Sequence, residues 1–519
     1  MKLQRPQNIT VNTQYKAQKQ APAFKGASAA VASTLNFLQT NPGVGASAVD
    51  ACCMCLPRTV VDAKERGPQA GIETAFREFS SNINDGLMGA YALGVGSLLA
   101  KGFKNKYDVN ANKLTIENAQ LDILTELKNE AGDIKEADNM KSFLNKVFDN
   151  TEVFNSNSKE AQNGFVKISE KTKKDVVEKL SNALLENEDK KSLKETKNFI
   201  KSALTVDTGA ETGYKLSKTI GEANLSSTST LDTYIDDITN MAKSFMKSKV
   251  LDSNSQVKKE FVSKLKSFNL SKSILGIALT AAIGFSVQPI NTKLTELRTG
   301  QKGFVGGGDK DESAGFKMLK VGAAVTAGAL ALVSIARKPS EIVKNLQFKG
   351  FWPSLNQFKL VYGTTIASRL LFSRNKNELR EGAVKDSLGF TNWLILPGLV
   401  QNLAARGFEK VSGQTLVKKA TEGNAFKRFI NSEIISRNEV MKNALGNKCL
   451  EKGSTKFIEM YKKLPKDAKS KMLMLTGIQL IGYLYSALVL GVGIPKLNKA
   501  MTDHFAEKEA QAKNTEKAA

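Results

Sequence analysis

Histidine is nearly absent from this sequence: His504, in a charged C-terminal stretch, is the single copy among 519 residues. Serine or cysteine nucleophiles activated by an imidazole are thereby excluded, and with them most histidine-borne proton transfer. Cysteine is scarce as well. Cys52, Cys53 and Cys55 cluster in ACCMCLP and Cys449 stands alone, which is no disulfide framework for a chain of this length and fits a reducing compartment. Cys52 and Cys55 have the redox or half-zinc spacing, but zinc wants four ligands and no second pair follows, so inert thiols are expected and no metal. Lysine outnumbers arginine 63 to 12, and residues 101–270 hold no arginine, a coding bias that fits an AT-rich bacterial genome. Alternating β-branched runs and hairpin dipeptides are wanting, so the expected fold class is all-α. The N-terminal stretch MKLQRPQNIT has no apolar core behind it, and no cleavable signal peptide is expected.

What the chain does contain is long apolar runs. Met472–Ile494 has no formal charge over its 23 residues, with Lys466, Lys469 and Lys471 before it and Lys496 and Lys499 after it. A helix of that length crosses a hydrocarbon core of about 30 Å, and the flanking lysines can reach the headgroups. Shorter runs occur at 86–100, 274–290, 321–336, 360–372 and 388–405. The polar, glycine-rich Gly300–Ser313 joins two of them. It lacks the G-x-x-x-x-G-K-[ST] order, and Asp309 would repel a phosphate, so it reads as a connector.

Composition divides the chain. Residues 1–24 read as a disordered basic tail. Residues 25–103 form a Gly/Ala-rich helical segment with a short apolar run, 25–56 as two weakly amphipathic helices. Residues 104–270 are a polar helical insert, soluble or surface-lying, in which Leu231, Tyr234, Ile238, Met241 and Phe245 make one helical stripe and Ser229 with Asp232 resembles a capping box. Residues 271–405 carry membrane helical hairpins, 406–471 are a basic amphipathic helical region, 472–495 a transmembrane helix and 496–519 a charged tail. The expected architecture is a multi-helix membrane-embedded bundle with a charged, soluble helical insert.

The formal net charge of +24 is uneven. Residues 271–519 carry 38 basic and 19 acidic side chains, whereas 101–270 carry 28 and 26. Basic loops beside apolar helices match anionic lipid headgroups and the cytoplasmic side of a membrane. A bilayer with anionic headgroups is the expected partner, a protein contact through 104–270 is a second, and nucleic acid is disfavoured because no focused aromatic-laced basic patch exists. The expected location is a bacterial cytoplasmic membrane, crossed several times.

Candidate functional residues are charges set beside or within apolar runs, where a charge is usually paired and usually has a role. Arg369, Arg374, Glu378, Arg380, Glu381, Lys385 and Asp386 lie between two apolar runs, with Arg374–Glu378 and Glu381–Lys385 spaced to pair along one helix. Arg77, Glu78 and Asp85 precede the 86–100 run in a related order, which suggests an internal repeat of 77–103 and 380–408. No cofactor and no catalytic residue is expected. The leading functional expectation is a non-catalytic membrane scaffold or transport-like component. A membrane-inserting pore-former or translocator is the first alternative, and a lipid-acting enzyme using Glu378, Glu381 and Asp386 the second.

Overall fold

The computed structural model describes residues 22–40, 42–154, 165–211, 213–303, 309–335, 342, 345–348, 350, 353–394, 396–418, 424–430, 432–445 and 457–518. Most of the tail 1–24, the Asn/Ser cluster at 155–158 and Cys449 lie outside them.

The structure is predominantly helical, with 78% of the described residues in helices and 6% in strands. Along the first part run α1 (Pro22–Thr40), α2 (Pro42–Val49), a π-helical stretch Asp50–Cys55, α3 (Leu56–Arg66), α4 (Pro68–Gly86) and α5 (Met88–Tyr107). Helices α6 (Asn118–Ala131), α7 (Ala137–Asp149), α8 (Glu170–Leu185), α9 (Lys190–Thr208) and α10 (Leu231–Phe245) belong to the polar insert. The remainder comprises α11 (Lys259–Thr299), α12 (Ala314–Ile335), α13 (Leu355–Leu371), α14 (Lys376–Leu394), α15 (Leu396–Ser412), α16 (Arg437–Leu445), α17 (Lys466–Ser486), a second π-helical stretch Ala487–Gly493, and α18 (Ile494–Ala518).

The insert has its own hydrophobic core, drawn from Ala100 to Phe268 and centred on Phe143, Leu180, Tyr234, Ile238 and Phe245. Leu231, Tyr234, Ile238, Met241 and Phe245 all point into it, as their three- and four-residue steps require. Each such side chain contributes about 1.5–3 kcal/mol on burial. The insert also contains a sheet that the sequence reading did not anticipate. Strands β1 (Thr151–Phe154), β2 (Phe165–Lys167), β3 (Tyr214–Ile220) and β4 (Ala223–Ser229) pair antiparallel in the order β2-β1-β3-β4. Gly221, at φ +60°, opens the two-residue turn that joins β3 to β4. Tyr214 and Leu216 of β3 are buried in the core and Ile220 packs at its edge, while Ser, Thr and Lys fill the other positions and hide the alternation. The cap of α10 also falls one residue later than expected: Thr230, rather than Ser229, accepts from the Thr233 N–H.

Helix α11 decides how the insert is held. Its 41 residues, about 60 Å at 1.5 Å per residue, begin inside the insert, where Phe261 and Leu265 are fully buried, and continue without a break through the apolar run. Helix α5 packs along it, and a Cβ on Gly276 would lie 2.7 Å from Ala92. Further ties come from Asn36 Nδ2, which donates to Glu211 Oε2 at 3.3 Å, and Ser436 Oγ, which donates to the Gly209 carbonyl at 3.2 Å. The insert is therefore docked, not loosely tethered.

Four helical stretches are long and apolar enough to cross a membrane: Gly43–Arg66, Lys259–Thr299, Ala314–Ile335 and Lys466–Phe505. The first was missed because Asp50, Arg58 and Asp62 interrupt it. Among the described residues, the runs at 86–100, 360–372 and 388–405 do not reach that length and hydropathy. Helix α13 packs against both α11 and α12. The contact is close, since a Cβ on Gly363 would fall 2.1 Å from the Ala331 Cβ. The outer face of α12 stays open, with Val325 66% and Val333 68% exposed.

Two stability outcomes follow. Gly363→Val forces α12 off α13 and lowers stability by about 1–3 kcal/mol, read as a drop in the thermal midpoint of the purified chain; an unchanged midpoint contradicts the packing. Glu439, buried in α16, has its carboxyl pushed up from 4.5 to about 7 by burial, which the nearby lysines Lys418 and Lys442 only partly oppose. The folded chain then holds that proton where the unfolded chain has lost it, so this group's contribution falls as pH rises from 4.5 to about 7. Glu439→Gln flattens the fall and is more stable than the parent above pH 7 but equal to it below pH 4.5, which unfolding at stepped pH measures.

Candidate functional site

Helix α4 is inverted relative to a helix of a water-soluble protein. Glu73, Thr74, Glu78, Ser81, Asn82, Asn84 and Asp85 are buried, while Ile72, Ile83 and the following Leu87 are 49%, 58% and 42% exposed. Burying a carboxylate costs several kcal/mol unless it is paired, and the helices around α4 supply the partners. The turn between α3 and α4 is made at Gly67, whose φ of +92° suits glycine. It brings Arg58 back alongside Glu78.

Glu78 is the hub. Its Oε1 accepts from Lys385 Nζ at 2.7 Å and from Arg77 Nε at 3.3 Å. Its Oε2 accepts from Arg369 Nη2 at 3.1 Å and lies 3.5 Å from Arg58 Nη1. Arg369 extends the cluster by donating from Nη1 to Asp386 Oδ1 at 3.2 Å. On the neighbouring turn, Arg374 chelates Glu378 at 2.9 and 3.0 Å and pairs with Glu73. At the edge, Arg66 grips Glu381 through two bonds of 3.0 and 2.5 Å, and Thr502 of α18 bonds the same carboxylate. Six cations, Arg58, Arg66, Arg77, Arg369, Arg374 and Lys385, thus meet five carboxylates, Glu73, Glu78, Glu378, Glu381 and Asp386. A cavity of about 50 Å³ lies among them, lined by Arg58, Glu73, Arg77, Arg369, Glu378 and Lys385. It has room for about three waters. Among the buried groups facing this region, Arg58 Nη2, Arg369 Nε, Glu73 Oε2 and Asp386 Oδ2 lack a hydrogen-bond partner.

Broken helices frame the cluster. The two π-helical stretches, Asp50–Cys55 and Ala487–Gly493, pack against each other, and a Cβ on Gly491 would lie 2.5 Å from the Cys53 carbonyl oxygen. Arg58 Nε donates to the Leu490 carbonyl at 3.0 Å. Pro289 inside α11 has no N–H for the Phe285 carbonyl, and Ser368 Oγ donates to that oxygen instead. Polar side chains from neighbouring helices thus satisfy backbone groups that the helices release, which is how irregular helices persist away from water.

The structure brings together residues that the sequence singled out in two separate stretches. Arg77 and Glu78 meet Arg369, Lys385 and Asp386; Arg374–Glu378 pairs along one helix as its spacing implies. The Glu381–Lys385 pairing does not form. Both side chains turn to other helices, where Arg66 and Glu78 offer closer, better-shielded partners. Arg380 stands apart from the hub, donating to Asn377 at 2.8 Å with its guanidinium 3.9 Å above the Phe505 ring. Asp85 is buried two turns beyond Glu78 on α4, and its Oδ1 has no hydrogen-bond partner. Arg58, Arg66 and Glu73 were missed; the signal was an arginine within the apolar stretch 43–61. The segments 77–103 and 380–408 each fall on two consecutive helices, α4–α5 and α14–α15.

Among the described residues no group of three or more His, Cys, Asp or Glu side chains is placed to hold a metal ion. Cys52, Cys53 and Cys55 are free thiols on the π-helical turn, from exposed to buried. No protein-family model, curated protein or solved structure matches this chain. Its own geometry therefore carries the functional argument.

Glu78→Gln leaves Arg58, Arg369 and Lys385 without their shared counter-charge and lowers stability by about 3–5 kcal/mol. Thermal unfolding of the variant beside the parent measures this, and equal midpoints contradict the hub assignment.

Proposed function

We propose that this chain is an integral membrane protein with a transport-like, non-catalytic role, in which the charge cluster around Glu78 is the polar step on a path for an ion or small polar solute. The observation that carries the reading is the inversion of α4: charged side chains inside, isoleucines outside. Ionisable groups enclosed by apolar helices are costly and are retained where they serve a pathway or relay. The second support is the pair of π-helical interruptions beside the cluster, since such turns recur at functional positions. On this reading the outer faces of α12 and α17 meet lipid, and the basic residues of 271–519 meet anionic headgroups on the cytoplasmic face of a bacterial membrane. The insert stands on that side and offers a surface to a partner protein.

An enzyme working through Glu378, Glu381 and Asp386 is disfavoured because each of these carboxylates already faces an arginine. The pore-former reading draws on one observation, the open apolar face of α12, which rests on α13 alone for most of its length.

The test has two stages. Membranes from expressing cells are washed with carbonate at high pH and then dissolved in detergent; the chain stays in the pellet until detergent is added, and release by carbonate overturns integral insertion. The purified chain is then placed in liposomes for ion-flux measurements. Lys385→Met removes one cation from Glu78 and changes the flux by about ten-fold or more, whereas Lys302→Met, on the exposed connector, does not. Equal flux in parent, Lys385→Met and empty liposomes overturns the transport role.

A further inference from the structure

A second and larger cavity lies elsewhere, between the insert and the helices that carry it. It measures about 690 Å³, within the range typical of small-molecule sites. Helices α9 and α10 form one wall; Phe37 of α1, Leu93 of α5 and Gly350 form the other. Asn110, Asn112, Thr115, Thr233 and Asn240 line it with neutral hydrogen-bonding groups, beside the exposed Lys113 and the half-buried Lys201. Gly350 packs closely on that wall, where even a Cβ would come within 2.7 Å of Thr233 Oγ1.

Asp237 sets the chemistry. It lines the cavity, is only 4% exposed, and its Oδ2 has no hydrogen-bond partner. The Gln120 amide faces it and favours its charged form, yet neither Gln120 Nε2 nor Asp237 Oδ2 completes a well-formed hydrogen bond. The buried Lys272 ammonium attracts Asp237 from a distance but makes no hydrogen bond to it; it lies 3.5 Å from Thr115 Oγ1 and over the Phe268 ring. The two other aspartates of the cavity are already engaged: Asp232 with Lys201 at 2.6 Å and Asp236 with Lys197 at 3.0 Å. Burial, reinforced by the adjacent Asp236, raises the Asp237 carboxyl well above its ordinary value. Lys272 offsets only part of the cost of burying this carboxyl, and a cation donating to the open Oδ2 from the cavity removes more of it.

We propose that this cavity binds a ligand bearing a primary ammonium, its –NH3⁺ seated on Asp237 and its polar remainder held by Asn110, Asn112 and Asn240. A monodentate acidic floor with amide walls suits a three-donor ammonium better than a divalent ion, which needs several carboxylates. Phe37 and Leu93 place apolar surface at the cavity, so the amine could come from an aminophospholipid headgroup or from a free small amine. The site is separate from the Glu78 cluster and stands whether or not the chain carries a solute.

The experiment uses the full-length chain in detergent, with calorimetric titration of O-phosphoethanolamine and of 1,4-diaminobutane, and 1,4-butanediol as the uncharged control. A parallel arm compares thermal midpoints in nanodiscs of phosphatidylethanolamine and of phosphatidylcholine. The expected result is binding of an amine but not of the diol, or a higher midpoint with the ethanolamine lipid alone, which identifies the headgroup as the source. Asp237→Asn weakens that binding by about ten-fold or more while folding normally, because it keeps the side-chain shape and removes the ionisable oxygen that faces the ammonium. Asn240→Ala, a milder change in the same wall, weakens it less. Absence of amine binding in both arms overturns the proposal, as does equal binding by parent and Asp237→Asn or equal binding of amine and diol.

Discussion

Everything in the helical body is arranged around one carboxylate with four cations. Glu78 is 4% exposed, and Arg58, Arg77, Arg369 and Lys385 converge on its two oxygens from three helices and a helix of its own. No single one of those cations could be buried alone, because desolvation of each costs several kcal/mol. The contacts are therefore mutually conditional: α3, α4, α13 and α14 can be apolar outside only if their charges close on one another inside. That constraint explains why α4 carries its polar face inward and why Arg369 sits in the middle of an apolar run.

The same rule applies to the backbone. A proline in α11 and two π-helical turns release carbonyl groups in stretches where water does not compete, and Ser368 and Arg58 reach across from neighbouring helices to bond them. Irregular helix geometry and side-chain polarity are thus two parts of one arrangement. It leaves Arg58 holding a carboxylate, a backbone carbonyl and one edge of a cavity at once. A displacement of α3 would alter all three, which links the helix positions to the electrostatic state of the cluster.

The insert adds a different kind of order. Its core is an ordinary hydrophobic one, with a small polar-faced sheet on one side. Helix α11 belongs to both halves: it starts in the insert's core and carries Gln288 and Asn291 to the charge cluster.

Much of the helical layout was legible in the sequence by itself, because helix hydrogen bonds are local and the apolar spacing of 231–245 or the uncharged run 472–494 records them directly. Arg369 and Glu78 were also legible as suspects, since each charge lies in or beside an apolar run. Other features were decided only in three dimensions. Strand β3 finds β1 across two intervening helices, and its polar outer face erased the alternation that would have announced it. Arg369 and Glu78 are 291 positions apart, and Glu381 chose Arg66 over the lysine one turn away. Local periodicity specifies a helix; it does not specify which helix comes to lie beside it. The cost of burying charge is settled between helices, so the pairing that defines this protein's site belongs to the tertiary structure.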